Sequence, residues 1–421
     1  MNKRYVNAVI LAALAANLYL GARNYGNSAE PKDRDQVFEQ MRKFSTVMEQ
    51  VRMHYVDANK VTYENLVEGA LDGMLKKLDP HSGYLSAKKH EDLQNDTRQQ
   101  FGGIGVVISI RNDTLTVIDV MDAGPSEKAG LLAGDRIIKI GDRETKGFNT
   151  GNAADLLRGT PGTDVKITIH RGKDTEKQFK LTRAIIKTKT VRDLRGKSKF
   201  PLLEEPIGYL RITSFSSKTA GELEAALVKM EKAGMKALVM DLRDNPGGLL
   251  EQSSLVSEKF LKSGQLVVST EGRNGRVQEK LVAQAENHRT LPIVVLVNQG
   301  SASASEIVAG CLQDLDRAEI VGVKTFGKGS VQSIRPLRDG SAIRITTAKY
   351  YTPSHRTIHG KGIEPDHVVE MTPEQLRNVM LQRSPVGLDG FTEEEQKKIR
   401  EAKDLQLDKA VELLKAALKQ N

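Results

Sequence analysis

The sequence predicts a multidomain α/β (α+β) chain, with a β-rich domain, an α/β core of mixed parallel and antiparallel strands, and helices at both ends. Three observations predict it. At 421 residues the chain is too long for a single hydrophobic core. Between residues 101 and 187, short β-rich runs are separated by Gly-Pro, Gly-Asp and Thr-Pro-Gly punctuation. From residue 207 onward strands alternate with amphipathic helices, which implies parallel pairing through crossover connections. Hydrophobic residues at 39% exclude the disordered class, and no tripeptide period marks a fibrous one. A single Cys excludes an internal disulfide framework and a Cys-based zinc site. The net charge of +9 is spread thinly: Lys88-Lys89 and Lys397-Lys398 sit near acids and lack interleaved aromatics, so it reads as a solvated basic surface with no nucleic-acid partner.

Lys3 and Arg4 precede an apolar run over residues 6–21, broken by Asn7 and Asn17, which is the pattern of an export signal. The run is shorter than the ~20 residues of a spanning helix. Small residues follow it, including Gly21, Ala22, Gly26, Ser28 and Ala29, without a clean Ala-x-Ala site. A cleaved signal peptide and a retained inner-membrane anchor therefore both stand for residues 1–29. Either one places the protein in the periplasm or cell envelope, where a lone Cys has no internal partner to pair with.

Residues 30–98 read as helical. Val37, Met41, Phe44, Met48, Val51 and Tyr55 alternate in steps of four and three, one stripe of a helix. Thr62 caps a second helix carrying Leu66, Leu71, Met74 and Leu75, which ends before Asp79-Pro80. Two helices make a poor core, so this region is expected to pack on a partner chain or on the main body. Residues 99–187 form the β-rich domain, with strands over 103–110, 115–120, 136–140 and 165–170 and a helix over 152–157. In residues 188–370, strands over 208–212, 237–242 and 291–297 alternate with helices over 222–233, 249–261 and 304–315. Gly234 closes the first of these helices. Strands over 331–336 and 342–349 flank the hairpin signal Arg338-Asp339-Gly340. Residues 371–421 are helical and charged, with capping boxes opening at Thr372 and Thr392 and an apolar face of Leu407, Val411, Leu414 and Leu418.

The richest chemistry lies in Asn298-Gln299-Gly300-Ser301-Ala302-Ser303-Ala304-Ser305-Glu306, which runs off an apolar strand into a helix. A nucleophile at such a turn points outward, where helix N–H groups can stabilise an oxyanion. A small-residue turn capped by Ser has the same appearance, and three alternating serines leave the nucleophile unassigned. His is the usual base, yet His81 is too close to its own neighbours, and His355 and His359 lie in a strand context that argues against a metal site. The stretch from Gly322 to Lys328 almost spells a phosphate loop. Gly329 stands at the Mg²⁺-binding hydroxyl position, however, and a strand follows where a helix is required. Read as a strand, Lys328, Ser330 and Gln332 share one face. A buried, neutral Lys is an established alternative base for Ser. Asp241-Leu242-Arg243-Asp244-Asn245-Pro246-Gly247-Gly248 ends a strand with two glycines whose N–H groups can face a ligand, or simply make a tight turn.

Together Phe101-Gly102-Gly103-Ile104-Gly105-Val106, the segment 241–248, Gly300 to Glu306, and Thr325 to Gln332 resemble the carboxyl-terminal processing (tail-specific) proteases, in that family's order and spacing over nearly the whole chain. The resemblance implies a serine peptidase with no cofactor and no metal. It implies Ser303 as nucleophile, Lys328 as general base, Gln332 as the residue that positions it, and an oxyanion hole from Ala304 with Gly247 or Gly248, of which we take Gly248. It further implies that residues 99–187 are a PDZ domain whose Gly102, Gly103, Ile104 and Gly105 receive a peptide carboxylate, with Arg158 in the gating of the site. Expected partners are protein substrates with apolar C-termini, a second copy in a homodimer paired through the flanking helices, and an adaptor protein. Cys311, on one helix face with Ile307 and Leu315, is expected in the core. The alternative is a non-catalytic PDZ scaffold that binds C-terminal tails, against which the chain keeps both Ser and Lys.

Overall fold

The computed structural model describes residues 31–97, 100–111, 113–121, 124–172, 175–286, 288–383 and 391–420. The expected signal or anchor over residues 1–29 lies outside them. The chain divides into two compact units, residues 1–84 and 85–421.

In the first unit, helices α1 (Pro31–His54) and α2 (Tyr63–Lys76) form where the apolar spacing predicts them. Thr62 caps α2 by accepting the Asn65 N–H at 3.2 Å. The stripe of α1 stays open: Val37, Met41, Phe44 and Val51 are all exposed. Among the described residues, no helix is long and apolar enough to cross a membrane.

The second unit begins with α3 (Ala87–Thr97) and then builds the β-rich domain. Its strands are β1 (Gln100–Gly103), β2 (Val106–Arg111), β3 (Thr114–Val120), β4 (Arg136–Ile140), β5 (Asp164–Arg171), β6 (Thr175–Thr182) and β7 (Ala184–Lys187), with helix α4 (Thr150–Leu157). β2 to β6 form one antiparallel sheet in sequence order, and β1 pairs with β7. Alternate strand residues, among them Leu115, Val117, Ile137, Ile167 and Ile169, fill its core together with Leu157 of α4.

The α/β core follows. β8 (Val191–Arg192) pairs antiparallel with β9 (Ile207–Ile212); β10 (Ala237–Asp241), β13 (Ile293–Val297), β14 (Glu319–Gly322) and β17 (His367–Val368) then extend the sheet in parallel. A second, antiparallel sheet contains β11 (Leu266–Glu271), β12 (Val277–Val282), β15 (Ser330–Pro336) and β16 (Ala342–Tyr351). The central strand β13 is apolar at every position, and β10 at all but Asp241, because both faces are covered. Leu238, Met240, Val295 and Val297 pack towards α5 (Thr219–Lys232), α6 (Leu250–Ser257) and α7 (Ala304–Asp314). Ala237, Val239, Val294 and Leu296 pack towards α10 (Leu405–Gln420), which follows α8 (Pro373–Arg383) and α9 (Glu393–Arg400).

Leu407 and Leu414, expected on one apolar face of the tail, are buried against the chain's own sheet. Without α10 the alternate residues of β10 and β13 would meet water.

Candidate active site

The site is built on the turn between β13 and α7. Ser301 and Ser305 are fully buried and committed to holding that turn. Ser301 Oγ donates to the Leu242 carbonyl at 2.8 Å and accepts the Asn298 N–H at 3.0 Å. Ser305 Oγ donates to the Asn245 carbonyl at 2.9 Å. Ser303 differs from both: it sits at φ +56°, ψ −114°, just before Ala304 opens α7, and it lines a cleft of about 1020 Å³. A positive φ on a residue with a Cβ costs about 1–3 kcal/mol and persists only where the surroundings enforce it.

The surroundings are the 241–248 turn and the buried carboxylate of Glu306. Ala302 N–H donates to the Asn245 carbonyl at 3.0 Å, which ties the Ser303 turn to the glycine turn. At Gly247, φ is +98°, and a Cβ there would lie 2.8 Å from Ser303 Cβ and 2.9 Å from Ala304 N. The Gly247 N–H is already given to Asn245 Oδ1 at 2.9 Å. Gly248, which lines the cleft as Gly247 does, sits at φ +149° between the Gly247 carbonyl and the Leu249 N–H that clasp Phe215.

Lys328, Gln332, Arg344 and Tyr350 line the same cleft as Ser303. Lys328 is half-buried, and burial, with the like charge of Arg344 behind it, pushes its amine below the usual lysine range against the pull of Glu306. The expected strand reading fails here. β15 starts only at Ser330, and its register against β16 slips between Val331 and Gln332. Lys328 instead lies in a loop gripped from both sides: Gly360 N–H donates to the Gly327 carbonyl at 2.9 Å and Tyr350 N–H to the Gly329 carbonyl at 2.8 Å. Gln332 Nε2 donates to Ser330 Oγ at 2.9 Å and Thr346 Oγ1 at 3.3 Å, so its contact with an amine falls to the carbonyl oxygen. The Tyr350 phenol is pushed up by burial.

Glu306 was not singled out by sequence reasoning. Fully buried, it accepts the Ser303 N–H at 2.8 Å, the Thr325 hydroxyl at 2.5 Å, the Gly327 N–H at 2.7 Å and the Lys328 N–H at 2.9 Å. One carboxylate thus holds the Ser303 turn and the Lys328 loop. Its signal was present as Ser303-x-x-Glu306, the spacing of a capping box. Cys311 is fully buried with its thiol pushed up by burial, which fits its expected place in the core.

The remaining candidates lie in the β-rich domain, outside the cleft lining. Ile104 is a core residue, so only its backbone can serve a ligand. Gly102 accepts the Gly159 N–H at 3.0 Å and Gly105 the Met121 N–H at 3.0 Å. Arg158 caps α4 at its C-terminus and is exposed.

The arrangement matches known proteins along most of the chain. Residues 206–369 match the peptidase family S41, residues 102–181 the PDZ domain, and residues 11–89 the N-terminal domain of the activating protease CtpB. A carboxy-terminal-processing protease of Bartonella bacilliformis is 42% identical over 86% of this chain and 82% of its own length. The carboxy-terminal processing protease CtpA of Bacillus subtilis is 34% identical over 88% and 77%. In fold, a putative S41 protease from Bacteroides fragilis superposes with a TM-score of 0.51 at 17% identity, over 82% of this chain and 90% of that one. With both the peptidase and PDZ matches in place, and relatives of that identity over most of their length, the chain belongs to the carboxy-terminal-processing proteases, serine peptidases of family S41 that carry a PDZ domain.

Proposed function

We propose that the protein is an exported endopeptidase that cleaves protein substrates near apolar C-termini with a Ser303–Lys328 dyad. The observation that carries this reading is the shared cleft: Ser303 on a strained strand-to-helix turn and a half-buried Lys328, both held by Glu306. The neutral Lys328 amine takes the Ser303 hydroxyl proton as Oγ attacks the scissile carbonyl. Gln332 steadies the amine through its carbonyl oxygen. The oxyanion accepts hydrogen bonds from the N–H groups of Ala304 and Gly248. The ammonium then protonates the leaving amine, and water hydrolyses the acyl-enzyme by the same route. Residues 188–370 are the protease core in this reading, and residues 99–187 the PDZ domain that recognises the tail. Among the described residues β2 pairs only with β3, so its other edge is open to a peptide strand whose terminal carboxylate meets residues 102–105. Arg158 serves in gating. The exposed stripe of α1 supports a homodimer formed through the N-terminal helices, and the apolar run over residues 6–21 supports export.

The test is cleavage of a protein with an apolar tail, read by the mass of the C-terminal peptides. Ser303→Ala and Lys328→Ala are both expected to lose more than 99% of turnover while remaining folded. Full activity in either variant sinks the dyad. Tail binding by the wild type without any product turns the reading to a scaffold.

A further inference from the structure

Charged groups from several elements line the cleft that holds Lys328. Glu251 on α6, Glu258 just beyond it, Glu279 and Lys280 on β12, and Arg344 on β16 all line the cleft. Glu306 on α7 lies behind, accepting the Lys328 N–H. Tyr350 is neutral at ordinary pH, raised by burial. Of these, Glu306 favours a protonated amine and Arg344 opposes it. Arg344 is placed by the hairpin. It pairs with Ile334 while Thr346 pairs with Gln332, and the Gln332–Thr346 hydrogen bond shows which face of the ribbon these residues share. Gln332, Ile334 and Arg344 project from that face into the cleft that holds Lys328 and Ser303.

We propose that Arg344 is a positioning residue for the reaction, acting through Lys328: its permanent charge, held in the cleft by the β15–β16 hairpin, opposes protonation of the amine and keeps it a base. The inference rests on the Ser303–Lys328 reading. Burial lowers the amine's affinity for protons first, and Arg344 adds to it. A guanidinium is suited to this, because it stays charged across the whole working pH range, whereas a second lysine could itself lose its proton.

The sign follows directly. Turnover requires the neutral amine, so kcat/KM rises with pH through the lysine's titration. Removing a like charge makes the amine easier to protonate, and the rising limb moves to higher pH. The experiment measures kcat/KM from pH 5 to 10 on the full-length protein, with an internally quenched peptide that keeps its terminal carboxylate and carries no group that titrates in that range. Wild type, Arg344→Gln, Arg344→Ala and Arg344→Lys are compared, with Ser303→Ala in the same series. Arg344→Gln and Arg344→Ala should shift the limb up by about one pH unit, a loss of about tenfold on the limb, with a plateau within about twofold of wild type. Arg344→Lys should hold the limb closer to wild type than Arg344→Gln does, for as long as the new amine keeps its proton. Thermal melting establishes which variants fold, and the conservative Gln variant carries the test if Ala does not. An unmoved limb, an equal loss at every pH, or a change confined to KM overturns the inference and leaves the dyad standing. Retained activity in Ser303→Ala overturns the dyad itself.

Discussion

Glu306 has two oxygens and four donors, and the division between them makes its chemistry specific. One oxygen takes the Thr325 hydroxyl and the Gly327 N–H, the other the Ser303 and Lys328 N–H groups. Burial pushes its carboxyl up, against the four donors that favour the ionised form. Glu306→Ala orphans three backbone N–H groups at about 1–3 kcal/mol each, less whatever water enters, so a loss of roughly 3 kcal/mol is expected in urea denaturation. Gln is not a rescue, because its NH₂ must face N–H donors on one side or the other. Both variants should lose kcat by more than about 100-fold with KM little changed, since the carboxylate sets geometry rather than binding. A wild-type kcat in Glu306→Gln would show that the four contacts are not needed for alignment. The sequence carried the spacing for this residue but not its importance. Glu at the third helical position normally bonds its own cap; only the folded lysine loop supplies the other three donors.

The two loops that meet at the site were legible to different degrees. The glycine turn after β10 reads from its composition, and the structure adds the reason for Gly247: its Cα lies against the nucleophile turn. Gly247→Ala adds a Cβ within 2.7 Å of the Ala302 carbonyl and 2.8 Å of Ser303 Cβ, at a φ that L residues rarely adopt. The turn must move, and a displacement of about 1 Å at reacting atoms costs about 100-fold in rate. We expect Gly247→Ala to lower kcat/KM by that order, measured on a peptide substrate, while the melting temperature falls by only a few degrees. A variant within twofold of wild type would mean that the turn tolerates the shift. The lysine loop was read less well. The period of two suggested a strand from Lys328, yet alternation says nothing about where pairing begins, and Gly327 and Gly329 are held against residues 358–362, thirty or so positions away.

At the scale of the molecule, the C-terminal segment covers one face of the parallel sheet. The apolar runs of β10 and β13 already required covers on both sheet faces, but nothing local identified α10 as one of them. Beside it lies a buried ionic network. Arg243, 5% exposed, donates to Asp241 at 2.6 Å and to Asp404 at 2.9 Å; Arg383 also reaches Asp404 at 2.6 Å, and the Tyr209 hydroxyl donates to Asp241 at 2.7 Å. Burial alone would raise both carboxyls, but Arg243 outweighs it and holds them below the usual carboxylate range. A carboxylate with a depressed folded value stabilises the protein above its unfolded value, near 3.9, and that stability drains away as pH falls through the folded value. The wild type should therefore lose stability steeply below about pH 4. Asp404→Asn keeps the shape and removes the charge, leaving Arg243 and Arg383 less compensated, so it should cost about 3 kcal/mol at pH 7. Its melting temperature should also fall less steeply than that of wild type from pH 5 to pH 3, because one linked proton is gone. Parallel curves for the two proteins would place the acid sensitivity elsewhere. The network reaches the site as well: Arg243 is two residues from Asn245, whose side chain and carbonyl hold Gly247 and Ala302. Loss of Asp404 should consequently lower kcat at pH 7 before the protein unfolds, so that activity falls at a lower temperature than the melt.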